Sequence, residues 1–96
     1  MENAMKVDFY ATLRQIVGQK TVKINLPEGA TVRQLVDEIV CIYPLMRSEL
    51  MDEDGKLYGH VHVIINGRDA PFLDNALDTV LMSDDRISIF PAVGGG

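Results

Sequence analysis

Apolar and polar positions alternate in some stretches of the chain and recur at helical spacing in others. In residues 5–10, Met5, Val7 and Phe9 alternate with Lys6, Asp8 and Tyr10, the period-two pattern of a strand with one buried face. Residues 21–26 repeat it, with Val22, Ile24 and Leu26 on the apolar side. Between the two, Leu13, Ile16 and Val17 fall at helical spacing and Gly18 follows, which predicts a helical turn or two. Two strands joined by so short a link predict a hairpin. Pro27-Glu28-Gly29 stops the second strand, since proline has no N–H to donate and glycine tolerates turn geometry.

The pattern then changes period. Val32, Leu35, Val36, Ile39, Val40 and Tyr43 recur at steps of three and four, one apolar stripe opposite Arg33, Gln34, Asp37 and Glu38. Thr31 in front, with Gln34 three residues on, reads as a capping box. Pro44 ends the run, so the main helix is predicted from about Thr31 to Tyr43. Residues 45–51 add a further helical turn, and Asp52-Glu53-Asp54-Gly55-Lys56 is a polar turn. Residues 60–66 return to period two, with Val61, Val63 and Ile65 on one face and His60, His62 and Ile64 on the other. Asn66-Gly67 is a tight-turn pair, with Arg68-Asp69-Ala70 as a short edge strand. Residues 71–85 read as irregular, and residues 86–90 as the last strand, with Ile87 and Ile89 facing one way.

Strand, strand, helix, strand, short strand, strand is the order of an α+β roll of the β-grasp kind. It predicts a mixed sheet of four to five strands with one main helix packed across it, and the first and last strands parallel at its centre. Residues 1–90 form the domain and residues 91–96 a flexible glycine tail.

Composition narrows the function. The chain has 96 residues, a net charge of -5 and one cysteine. The charge argues against nucleic acid, which calls for a basic face, and against an anionic membrane surface, and it suits a basic groove on another protein. A lone cysteine forms no internal disulfide and no cysteine cage for a metal. With no run of apolar residues long enough for a membrane span or signal peptide, a cytoplasmic protein is expected.

The ending, Ile89-Phe90-Pro91-Ala92-Val93-Gly94-Gly95-Gly96, gives the sharpest functional signal. Glycines at a terminus have no side chains to pack, so their use would be steric: a chain without Cβ atoms threads a narrow tunnel and presents its carboxylate at a distance. With "LPEGATVRQLVDEI" before and through the helix, "VIINGRD" at the third strand and "DDRISIFPAVGGG" at the end, the chain resembles the MoaD/ThiS group of ubiquitin-like sulfur carriers from Met5 to Gly96.

That resemblance implies a specific chemistry. An adenylyltransferase of the MoeB/ThiF type, related to ubiquitin-activating enzymes, would adenylate Gly96 with ATP, and sulfur would displace AMP to leave a thiocarboxylate. Gly95 would be its slim neighbour. In the MoaD branch the tail inserts into the large subunit of molybdopterin synthase, of MoaE type, and the Phe90-Pro91 step looks more like MoaD than ThiS. The chain would then be the small, sulfur-donating subunit of a synthase with no bound cofactor of its own. Two features differ from a minimal member. Gly94 stands where alanine or serine is frequent, and residues 51–62 are longer, as in MoaD-like carriers of more varied use. The alternative is a ubiquitin-like protein modifier, or a carrier for thiamin, cysteine or tRNA thiolation.

Other residues have plainer readings. Cys41 reads as a small apolar filler near the end of the helix where a thiol pKa is not lowered. His60 and His62, two apart on one strand, lack a third metal ligand at a persuasive spacing, and Asp52–Asp54 reads as a solvated turn. Phe90, Leu81 and Met82 are placed near the tail, either as core or, with Pro91, Val93 and Gly94, as a surface for an activating partner.

Overall fold

In the computed structural model, which describes residues 2–58, 61–70, 73 and 75–91, the elements follow the predicted order. They are β1 (Glu2–Phe9), α1 (Ala11–Val17), β2 (Thr21–Pro27), α2 (Val32–Ile42), α3 (Met46–Leu50), β3 (His62–Ile65), β4 (Arg68–Asp69) and β5 (Ile87–Phe90), with a 3₁₀ turn at Ala76–Asp78. The strands form one sheet in the order β2-β1-β5-β3-β4. β1 and β2 pair antiparallel over seven positions, from Glu2↔Pro27 to Asp8↔Thr21. β1 and β5 pair parallel at the centre, with Val7 beside Ile87 and Phe9 beside Ile89. β3 runs antiparallel to both β5 and β4. This is the β-grasp, ubiquitin-like roll.

Alternation decides which sheet face is covered. Met5, Val7 and Phe9 of β1, Val22, Ile24 and Leu26 of β2, Val63 and Ile65 of β3, and Ile87 and Ile89 of β5 are all buried. Val32, Leu35, Val36 and Ile39 of α2 pack onto them. Burying a side chain of this size stabilises by roughly 1.5–3 kcal/mol, so this layer is the main source of stability. The opposite sheet face stays open.

Local chemistry sets the ends of α2. Gln34 N donates to Thr31 Oγ1 at 3.3 Å, and Thr31 N donates to Gln34 Oε1 at 2.9 Å, so the capping box satisfies two donors that a helix start leaves without partners. Val32 N donates to Thr79 O at 3.0 Å and Leu81 N to Ala30 O at 2.8 Å, so residues 79–81 are strapped across that end. Tyr43 caps the other end, and the predicted extra turn is α3. Between β3 and β4, Asn66 and Gly67 have φ of 54° and 87°, the left-handed pair of a type I′ hairpin turn.

Cys41 departs from its reading as a filler. It is exposed, because two residues beyond Ile39 the helix has turned some 200° away from the buried stripe. Ile42 and Leu45, 46% and 72% exposed, likewise lie outside the core.

Candidate functional site

β5 is the middle strand of the five, and the chain leaves the sheet where β5 ends. Ile89 is fully buried on the helix side, which directs Phe90 to the open face. The parallel register that sets Phe9 beside Ile89 brings Tyr10 alongside Phe90. Their rings stack with centroids 4.2 Å apart and planes 12° from parallel. Lys20 Nζ lies 5.7 Å from the centroid of the Tyr10 ring, within cation–π range.

On the other flank His62 is directly opposite Phe90. Asp69 Oδ2 accepts a hydrogen bond from His62 Nδ1 at 2.5 Å. Pro91, the first residue past the strand, is buried. Tyr10, Phe90 and Pro91 therefore fix the end of the strand, while a shallow groove of about 550 Å³ runs beside it past Asp8, Ile64 and Ser88.

The arrangement separates two tasks. The folded end is anchored by ring stacking and burial. Beyond it Ala92 to Gly96 add five residues, which fully extended would span at most about 18 Å. Val93, Gly94, Gly95 and Gly96 lie outside the described residues, as does His60. Among the described residues no three His, Cys, Asp or Glu side chains are grouped to hold a metal ion, and no helix is long and apolar enough to cross a membrane.

Leu81 and Met82 need correcting, because they are not near the exit. Both lie before the start of β5, at its far end. Leu81 is bonded to Ala30 and buried at 2% exposure, while Met82, 60% exposed, sits on the turn closed by Asp85 Oδ2 accepting from Met82 N at 2.8 Å. Nearness in sequence was misleading, since β5 carries the chain about 10 Å away from them at 3.3 Å per residue. Of the exit's actual neighbours, Tyr10 was not singled out from the sequence, and His62 only as one of a histidine pair weighed as metal ligands. The signal that finds them is the parallel pairing of first and last strands, which was inferred from the order of elements.

A model of the ThiS family matches residues 7–96, through the last glycine. The chain is 33% identical over 92 residues to small archaeal modifier protein 1 of Haloferax volcanii, covering 96% of this chain and 100% of that one. The crystal structure of SAMP1 from Haloferax volcanii superposes with a TM-score of 0.85 at 32% identity, covering 98% of this chain and 100% of that chain. Identity to the molybdopterin synthase sulfur carrier subunit of Dictyostelium discoideum is 26% over 97 aligned positions, covering 100% of each chain. A chain in the Amycolatopsis orientalis BexX/CysO complex superposes with a TM-score of 0.75 at 30% identity, covering 97% and 100%.

Proposed function

The chain belongs to the ThiS family of ubiquitin-like sulfur carriers, and we propose that the carboxylate of Gly96 is the group that carries the sulfur. A carboxylate is a poor electrophile, so attack on the α-phosphorus of ATP, with loss of pyrophosphate, first turns it into an acyl adenylate. A sulfur nucleophile then adds at the acyl carbon and AMP leaves, giving the thiocarboxylate. The ATP site and the sulfur source belong to an activating enzyme of the MoeB/ThiF type. This chain contributes the electrophile and its placement: Phe90, Tyr10 and Pro91 hold the root of the tail, and Gly94, Gly95 and Gly96 add no Cβ that would obstruct a narrow channel.

The observation that carries this reading is the junction itself. The central strand ends in a stacked aromatic and a buried proline, and the glycine run follows within the span of the family match. For the acceptor we propose a large subunit of MoaE type, with sulfur donated to a molybdopterin precursor in the cytoplasm. The likeness to the Dictyostelium subunit supports it. The second reading is a protein modifier whose activated Gly96 is transferred to lysine amines. The likeness to the Haloferax modifier protein supports that one.

One experiment tests activation and sorts the outcomes. The protein is incubated with ATP, a sulfide source and a MoeB/ThiF-type enzyme, and its intact mass is measured. Exchange of one carboxylate oxygen for sulfur, located on the C-terminal peptide and trapped by alkylation, is expected. Alkylation separates the thiocarboxylate from oxidation of the five methionines. A mass unchanged while a known carrier reacts in parallel would overturn the reading. Isopeptides from Gly96 to lysines of other proteins would favour the modifier, and sulfur transfer in the presence of a MoaE-type subunit would favour the synthase.

A further inference from the structure

Strand register lines up three cations across the open sheet face. Lys6 of β1 is paired directly with Lys23 of β2, and the β1–β5 register, continued by one residue from Val7↔Ile87, sets Arg86 on the other side of Lys6. Each lies next to buried residues of its own strand, so each points to the open face, and all three are exposed. Neighbouring strands are about 4.8 Å apart, so the row crosses roughly 10 Å of sheet. Lys6 and Arg86 line one groove of about 580 Å³.

Like charges directly opposite in a sheet are destabilising. Here Lys23, Lys6 and Arg86 have no ion pair among the described residues. A lysine on an edge strand protects against edge-to-edge association, which accounts for Lys23 on β2. It does not account for Lys6 on an interior strand, nor for Arg86 beside it. The juxtaposition is also out of character for a chain of net charge -5.

We propose that the row Lys23–Lys6–Arg86 is a docking site for an acidic segment of a partner protein. Carboxylates on one face of a helix at i, i+4 are separated by about 5–6 Å, close to the spacing of the row. The carboxylates bordering the groove shape the ligand further. Asp8 Oδ1 accepts from Thr21 Oγ1 at 2.6 Å. Asp85 accepts from Asn66 Nδ2 and from Met82 N, each at 2.8 Å. Asp84 is exposed at the Arg86 end. The segment therefore carries its charge over Lys23 and Lys6 and crosses Arg86 with less. A row of three cations spanning roughly 10 Å is much smaller than the basic face or stripe that nucleic acid calls for, which favours a short acidic peptide segment as the occupant.

The inference needs neither activation nor sulfur, so its test is separate from that of the carrier reading. A decaglutamate peptide is titrated into the protein labelled for amide NMR, with decalysine and a ten-nucleotide oligothymidylate as controls. Decaglutamate is expected to shift amides around Lys6, Lys23 and Arg86 and to weaken about threefold between 50 and 200 mM salt. Lys6→Glu with Lys23→Glu is expected to abolish the shifts with the fold intact by its amide spectrum, and Asp84→Asn to tighten binding at least twofold. Absence of shifts at millimolar peptide, shifts confined to other surfaces, or oligothymidylate binding as tightly as decaglutamate would each overturn the proposal.

Discussion

If the Tyr10–Phe90 stack anchors the end of β5, removing one ring should cost more than its area. Phe90 is partly buried, and an aromatic that buries 150–250 Å² in full would here keep on the order of 100–150 Å² covered. At about 25 cal/mol per Å², less what alanine still buries and the compactness of unfolded chains, that is about 2 kcal/mol. Stacked pairs at 4.2 Å between centroids add about 0.5–1.5 kcal/mol. Phe90→Ala should therefore destabilise by about 2.5–3.5 kcal/mol, lowering the melting point by roughly 10–25 °C for a domain of this size. Urea unfolding of wild type, Tyr10→Ala, Phe90→Ala and the double variant forms a cycle whose coupling isolates the ring–ring contribution, expected near 1 kcal/mol. Phe90→Leu, which keeps most of the area and loses the stack, should cost about 1 kcal/mol. A coupling indistinguishable from zero, or a Phe90→Ala loss below 1 kcal/mol, would refute the anchoring argument.

Other outcomes follow from particular contacts. Thr31→Ala removes the acceptor for Gln34 N and should lower stability by about 1 kcal/mol in thermal melts. Gly67→Ala meets no neighbour within 4 Å but keeps a φ of 87°, so its cost, about 1–2 kcal/mol by denaturant titration, is that of the backbone alone. Lys6→Glu places a carboxylate between Lys23 and Arg86 and should raise stability by about 0.2–1 kcal/mol at low salt, a gain that calorimetry at high salt should find diminished. Deleting Gly95 and Gly96 should leave the melting point unchanged, since glycines bring no side chains to pack, and should abolish the sulfur-dependent mass shift.

Where one residue's neighbours along the chain decide the structure, the sequence was readable. Alternation located β1, β2, β3 and β5, the Thr31/Gln34 pair located the start of α2, and Asn66-Gly67 located the β3–β4 turn. The central parallel pairing also followed, because the order of elements leaves few ways to cover one sheet face with one helix. What escaped depends on register between distant strands. Tyr10 meets Phe90 only because Phe9 pairs with Ile89, and the cations line up only because Lys6 faces Lys23. The placement of Leu81 and Met82 near the tail failed for the same reason, in that β5 carries the chain away from them. Cys41 was misplaced because it lies two residues past the last buried position of the helix, Ile39, a difference that an apolar residue near a helix end does not announce.

The parallel contact between β1 and β5 also has a mechanical consequence. A pull on the chain beyond Pro91, resisted at the start of β1, drags the two strands past each other along their length. Their hydrogen bonds are then loaded together in shear rather than peeled one by one, the geometry in which a short ladder yields last. A load applied through the end of β5 therefore meets the sheet in its most resistant direction.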